Sequence, residues 1–163
     1  MNILITSAGR RVSLVRSFQK ELKKIDPNSK VFTTDMSPKL SAACQIADGS
    51  FKVPKLEDSN YMNVLIELCK TNNIKLVIPT IDTELLQLAK HKSALEDLGI
   101  KAVISSIDFI SKCRDKRVIH DFFKDHNVNV AREYDKDNYN LPLFIKPIDG
   151  SRSVDTYIIK EEE

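Results

Sequence analysis

At 163 residues the chain is long enough to bury one core without disulfides or bound metal. Its 42% hydrophobic and 29% charged residues are the mix of a soluble globular protein, which excludes a disordered tail. The 25 basic and 23 acidic residues leave a net charge of +2, too little for a general nucleic-acid or membrane-binding field. Cys44, Cys69 and Cys113 are far apart and form no CxxC pair, so they read as small core residues in a reducing compartment. The apolar run Ile3-Leu4-Ile5 is too short for a signal segment, and Arg10-Arg11 follow it on the wrong side. No stretch approaches the roughly 18 apolar residues of a membrane span. A cytoplasmic location is expected, with neither nucleic acid nor membrane as partner.

Over the first hundred residues two kinds of segment alternate. Ile3-Leu4-Ile5, Val31-Phe32, Phe51-Lys52-Val53, Leu76-Val77-Ile78 and Ala102-Val103-Ile104 are short apolar runs that predict strands. Between the first two, Val12, Val15, Phe18, Leu22 and Ile25 recur at helical spacing; Met62, Leu65, Ile66 and Cys69 repeat the pattern. Leu85, Leu86, Leu88, Ala89 and Leu95 form a third stripe. The alternation predicts an α/β, Rossmann-like doubly wound parallel sheet over residues 1–112. Gly9 is expected at the turn into the first helix, Gly49 in a turn before Phe51, and Gly99 as a left-handed helix cap. A linking helix is expected within 113–128, with Val118, Ile119, Phe122 and Phe123 on its apolar face. Residues 129–163 predict a loop and a hairpin of Leu143-Phe144-Ile145 with Tyr157-Ile158-Ile159, too small to bury a core of its own.

In an open parallel sheet, ligands bind beyond the carboxyl ends of the strands. Here those ends carry Thr6 to Arg11, Asp35 to Lys39, Pro79 to Glu84, and Ser105 to Asp108. Free N–H groups at a helix start, with Ser7, Gly9, Arg10 and Arg11, suit an anion; the same glycine also suits a plain turn with solvated arginines. Asp35 stands where dinucleotide enzymes bind ribose, but the loop lacks GxGxxG, and Asp35 equally suits a helix cap. Thr80, Asp82 and Glu84 concentrate polar groups after a strand, with Asp82 or Thr83 suited to capping the next helix. His91, His120 and His126 share no ligand spacing and have no evident acidic partner.

Two stretches are more specific. Ser111 to Arg117 places bases at a helix start, and Phe144-Ile145-Lys146-Pro147 is followed by Asp149-Gly150-Ser151-Arg152-Ser153. A lysine leaving a strand beside a small-residue loop offers compact charge and close backbone N–H groups to phosphate oxygens. In these features, and in Leu4-Ile5-Thr6-Ser7-Ala8-Gly9-Arg10-Arg11 and Pro79-Thr80-x-Asp82-x-Glu84, the chain resembles the ATP-grasp superfamily. The likeness is to carbamoyl-phosphate synthase-like and biotin carboxylase-like members.

The resemblance implies a pre-ATP-grasp domain, a linking helix with Asp115-Lys116, and the start of a small α+β ATP-grasp subdomain from residue 129. It implies that Lys116, Lys146, Gly150, Ser151 and Ser153 contact ATP. It places Ser7, Gly9, Arg10, Asp35, Thr80, Asp82 and Glu84 at a cleft for a small carboxylate and an amine. ATP and Mg²⁺ are the implied cofactors, with the metal ligands and most of the adenine pocket expected in a further subdomain. The chain is therefore expected to be an N-terminal piece of an ATP-dependent ligase and inactive alone. Two other readings stand beside this one: a non-catalytic Rossmann-like nucleotide-binding module, or an interaction module whose exposed strand edge pairs two copies as a homodimer.

Overall fold

Short apolar segments pair side by side, and the central ones, Asn2–Ile5 and Val31–Asp35, are buried on both faces. In the computed structural model, which describes residues 1–150 and 153–161, the strands of the first unit (Met1–Ser106) are all parallel. They are β1 (Asn2–Ile5), β2 (Val31–Asp35), β3 (Gly49–Lys52), β4 (Ile74–Ile78) and β5 (Lys101–Ala102), in spatial order β3-β2-β1-β4-β5. Helices α1 (Val12–Ile25), α2 (Ala42–Ile46), α3 (Tyr61–Thr71), α4 (Leu85–Lys90) and α5 (Lys92–Glu96) connect them.

Period-two alternation in the strands sorts the core into two layers. Ile3, Ile5 and Val31 pack with Val15 and Leu22 of α1 and with Ala43 and Cys44 of α2. Leu4, Phe32 and Val77 face the opposite way, onto Met62, Leu65 and Cys69 of α3, Leu88 of α4 and Leu95 of α5. Burying each such aliphatic side chain contributes about 1.5–3 kcal/mol. The doubly wound parallel sheet expected from the alternation of segments is the observed fold.

Local details differ from expectation. The 85–95 stripe is two helices, because the chain breaks at His91, whose ring nitrogen contacts the Gln87 carbonyl at 2.9 Å. Gly99 does adopt φ +68, and the Ile100 N–H closes back on the Leu95 carbonyl at 2.9 Å. Gly49 is not in a turn; it opens β3, and a Cβ there would stand 2.8 Å from two ring carbons of Phe32. The missing side chain lets Phe32 lie beside Phe51, ring centroids 5.6 Å apart. Cys44 and Cys69 are core residues, and burial pushes the Cys69 thiol up to about 12. Cys113 is exposed, because it lies on the outer side of a helix that the sequence reading did not separate.

That helix is α6 (Ile107–Arg114), the first element of the second unit, Ile107–Glu163. Asp115 stops it and caps α7 (Lys116–Asp125), accepting from the Arg117 N–H at 2.9 Å. Hydrogen bonds from the Arg117 side chain hold the Asp115 carboxyl at about 2. The hairpin pairs β6 (Leu143–Ile145) with β7 (Tyr157–Ile159) in the register Leu143 to Ile159 and Ile145 to Tyr157. Among the described residues of this unit only Ile110 is buried. No helix among the described residues is long and apolar enough to cross a membrane.

Because Phe32 occupies the space of a Gly49 side chain, Gly49→Ala is expected to destabilise the first unit by about 1–3 kcal/mol through overpacking. Urea unfolding of the variant beside the parent checks this, and an unchanged midpoint would contradict the packing account.

Candidate functional site

Strand order reverses between β1 and β4: the chain leaves β1 toward β2 on one side, and leaves β4 toward β5 on the other. The connections diverge there and open a crevice at the carboxyl ends of the two strands. Thr6 to Arg11 and Pro79 to Glu84 meet at this place. Both Ser7 and Gly9 adopt φ +50, so the first loop turns through left-handed backbone twice. The second loop holds it there. The Thr80 hydroxyl lies 2.9 Å from the Thr6 carbonyl and 2.7 Å from that of Ser7, and Arg11 donates to the Thr80 carbonyl at 2.7 Å.

Glu84 is the anchor of this junction. It has no solvent exposure, and its carboxylate accepts from the Thr6 hydroxyl at 2.8 Å, the Ser7 hydroxyl at 3.2 Å and the Tyr61 hydroxyl at the start of α3. Burial raises the Glu84 carboxyl above its ordinary range, while the three hydroxyls and the Arg11 charge oppose that rise. The Tyr61 hydroxyl is likewise raised, first by burial and then by the neighbouring carboxylate. The expected cleft-facing role of Glu84 is thus replaced by a buried one, since both its oxygens are spent inside the protein. Tyr61 was not anticipated. Its signal was its place one turn before Leu65 on the apolar stripe, where a buried phenol needs a polar partner.

The β1 loop also spends its own amides internally. Thr6 N–H donates to the Ile78 carbonyl, Ala8 N–H to that of Thr34, each at 3.0 Å, and Gly9 N–H to Asp35 at 3.2 Å. Asp35 accepts a second bond from the Ser37 N–H at 2.9 Å, forming a turn rather than a helix cap. The Gly9 carbonyl accepts from Ser41, at the N-cap of α2, and from the Ala43 N–H. These bonds engage three amides of the loop internally and place one internal hydrogen bond on each oxygen of the half-buried Asp35. Arg10, Asp82 and Thr83 are exposed there. Asp82 opens a 3-10 turn, and α4 starts without a side-chain cap.

A second set of predicted residues comes together in the second unit. Lys116 at the start of α7 donates through its Nζ to the carbonyls of Ile148 at 3.1 Å and Gly150 at 2.8 Å. Its backbone N–H reaches Ile148 as well, at 3.0 Å. Gly150 allows the close turn, since a Cβ there would sit 3.0 Å from Pro147. Lys146, one residue past β6, is exposed and makes no hydrogen bond or ion pair among the described residues. Lys116 and Lys146 line one open hollow of about 1660 Å³, whose walls carry seven lysine and arginine residues against three acidic ones. Such a wall attracts anions.

Ser153 lies in a turn at φ +57, with its carbonyl accepting from the Thr156 hydroxyl at 3.0 Å; Ser151 and Arg152 lie outside the described residues. His120 does have an acidic partner, contrary to expectation. The segment after α7 folds back and sets Glu133 2.6 Å from its Nδ1, with Lys124 3.5 Å from the same carboxylate. Among the described residues no group of three or more His, Cys, Asp or Glu side chains gathers as a metal site.

Solved structures share this fold. A pyruvate carboxylase from Rhizobium etli with the activator acetyl coenzyme A superposes at TM-score 0.67, 14% identity, over 99% of this chain and 16% of its own. A biotin carboxylase from Campylobacter jejuni, in its beta-gamma-ATP complex, gives 0.66 at 16% identity over 98% and 38%. The biotin carboxylase domain of the Hydrogenobacter thermophilus 2-oxoglutarate carboxylase, a dimer with MgADP, ADP and bicarbonate, gives 0.66 at 12% over 97% and 37%. The chain thus spans less than two fifths of each of these proteins. No curated protein matches it. The biotin carboxylase-like, ATP-grasp likeness read from the motifs is borne out in the fold. Residues 3–104 match the family described as PylC-like, N-terminal domain, and the chain belongs to that family.

Proposed function

We propose that this chain serves an ATP-dependent carboxylate–amine ligase of the ATP-grasp kind, with its second unit contributing to the nucleotide site. The observation that carries the reading is the pairing of Lys116 and Lys146 on one cationic hollow beside the Pro147–Gly150 turn. Lys116 has two carbonyl partners, which fix its ammonium at the rim of the turn and leave one donor for a phosphate oxygen. Lys146 brings an ammonium with no described protein partner, so no ion pair need break for it to meet an anion. Both lysines act as positioned charge. Gly150 and Ser153 are proposed to border the phosphates.

ATP supplies, when bound, the phosphoryl group that activates a carboxylate for attack by an amine; Mg²⁺ accompanies its phosphates. The Thr6 to Arg11 and Pro79 to Glu84 loops are proposed to line the carboxylate and amine side, with Arg10 and Asp82 as the outward polar groups. The fold likeness to a biotin carboxylase solved with an ATP compound, and to another solved with MgADP, supports the nucleotide. The internal use of Gly9 and Asp35 argues against a dinucleotide-sensing module.

In the ligase reaction proposed here, Lys146→Ala is expected to lower kcat/KM for ATP by about 10–100-fold, the loss of one charge-assisted contact of ~1.5–3 kcal/mol. The lysine is exposed, so folding should be unaffected. Unchanged ATP kinetics would remove the assignment. A separate calorimetric titration of the 163-residue chain should show no NAD(H) binding. NAD(H) binding that Asp35→Ala abolishes would favour the nucleotide-sensing module instead.

A further inference from the structure

The Glu84 junction lies wholly within the first unit, and its behaviour does not depend on the nucleotide reading. Three hydroxyls, from Thr6, Ser7 and Tyr61, converge on one carboxylate that solvent cannot reach. A carboxylate can accept all three protons at once. A neutral carboxyl has a proton of its own to place, so one of the three hydroxyls must turn from donor to acceptor. The Ser7 contact is the one to reverse. At 3.2 Å it is longer than that of Thr6 at 2.8 Å, and Ser7 holds left-handed backbone, φ +50, that a serine seldom adopts. The titratable and charged groups facing Glu84 are Tyr61 from α3, with Cys69 behind it on the same helix, and Arg11 from the β1 loop.

We propose that Glu84, Thr6, Ser7 and Tyr61 form a proton-sensitive clasp: the ionised carboxylate accepts from all three hydroxyls and holds the β1 loop, and proton uptake by Glu84 reverses the Ser7 hydrogen bond. The clasp sets the conformation of the loop that borders the crevice between β1 and β4. Burial favours the neutral carboxyl, so the change falls above the ordinary carboxylate range. The sign for stability follows. In that window the folded chain keeps a proton that the unfolded chain has lost, so stability falls as pH rises until Glu84 ionises in the folded state.

The test is amide NMR of the 163-residue chain between about pH 4.5 and 8. The Thr6 and Ser7 resonances are expected to shift along one titration curve, with a midpoint above the ordinary glutamate value. In Glu84→Gln that curve should vanish. In Tyr61→Phe the midpoint should move upward, because the charged form loses a donor. Resonances of Ser7 that stay fixed across the range, or a curve that survives in Glu84→Gln, would overturn the proposal. Should Glu84→Gln fail to fold, Tyr61→Phe decides: a displaced midpoint supports the clasp, and an unmoved one sinks it.

Discussion

A carboxylate sealed from solvent holds the carboxyl end of the sheet together. Glu84 ties the loop after β1, the loop after β4 and the first turn of α3 to one point, and it can do so because three hydroxyls satisfy it. Leaving such buried partners unmatched costs about 1–3 kcal/mol each, so the two loops and the helix turn are coupled through Glu84. The consequence reaches the surface. With Ser7, Gly9 and Asp35 turned inward, the place where a dinucleotide fold offers a ring of amides instead presents exposed Arg10 and Asp82.

The two units solve different physical problems. In the first, a sheet covered on both faces buries Leu4, Ile5, Val31 and Val77 completely, and its central backbone polar groups are paired by the parallel ladder. The second keeps nearly everything at the surface. Its order comes from hydrogen bonds to the backbone: Asp115 caps α7, and Lys116 staples the Pro147–Gly150 turn to that helix. The hairpin leaves Phe144, Tyr157 and Ile158 largely open. The first unit is a layered scaffold, and the second carries a polar, lysine-lined, anion-handling surface. Electrostatic work depends on charges held in position more than on a large core.

Elements set by local periodicity were legible in the sequence. β1, β2 and β4 coincide with short apolar runs, β3 and β5 overlap theirs only at Phe51-Lys52 and at Ala102, and α1, α3 and α7 coincide with stripes at spacings of three and four. What escaped was decided at longer range. α2 is five residues long and starts on a bond from the Cys44 N–H to Ser41, too little for a periodic signal. Gly49 reads as a turn residue until the Phe32 ring is seen to need its space. His120 seemed isolated because Glu133 comes to it through a fold-back of irregular chain. Glu84 read as a polar residue near a helix start; only burial, and the arrival of Tyr61 from another element, turns it inward. By contrast, Lys116 and Gly150 were each singled out by the motifs, and the fold sets the Lys116 ammonium 2.8 Å from the Gly150 carbonyl.

The central claim is that the cationic hollow of the second unit receives a nucleotide's phosphates. Its most direct test is a crystal structure of the protein grown with Mg²⁺ and ADP. The account predicts phosphate oxygens within hydrogen-bond distance of the Lys116 and Lys146 Nζ atoms. Phosphates seated instead on the Gly9 and Asp35 loop, with both lysines facing solvent, would contradict it.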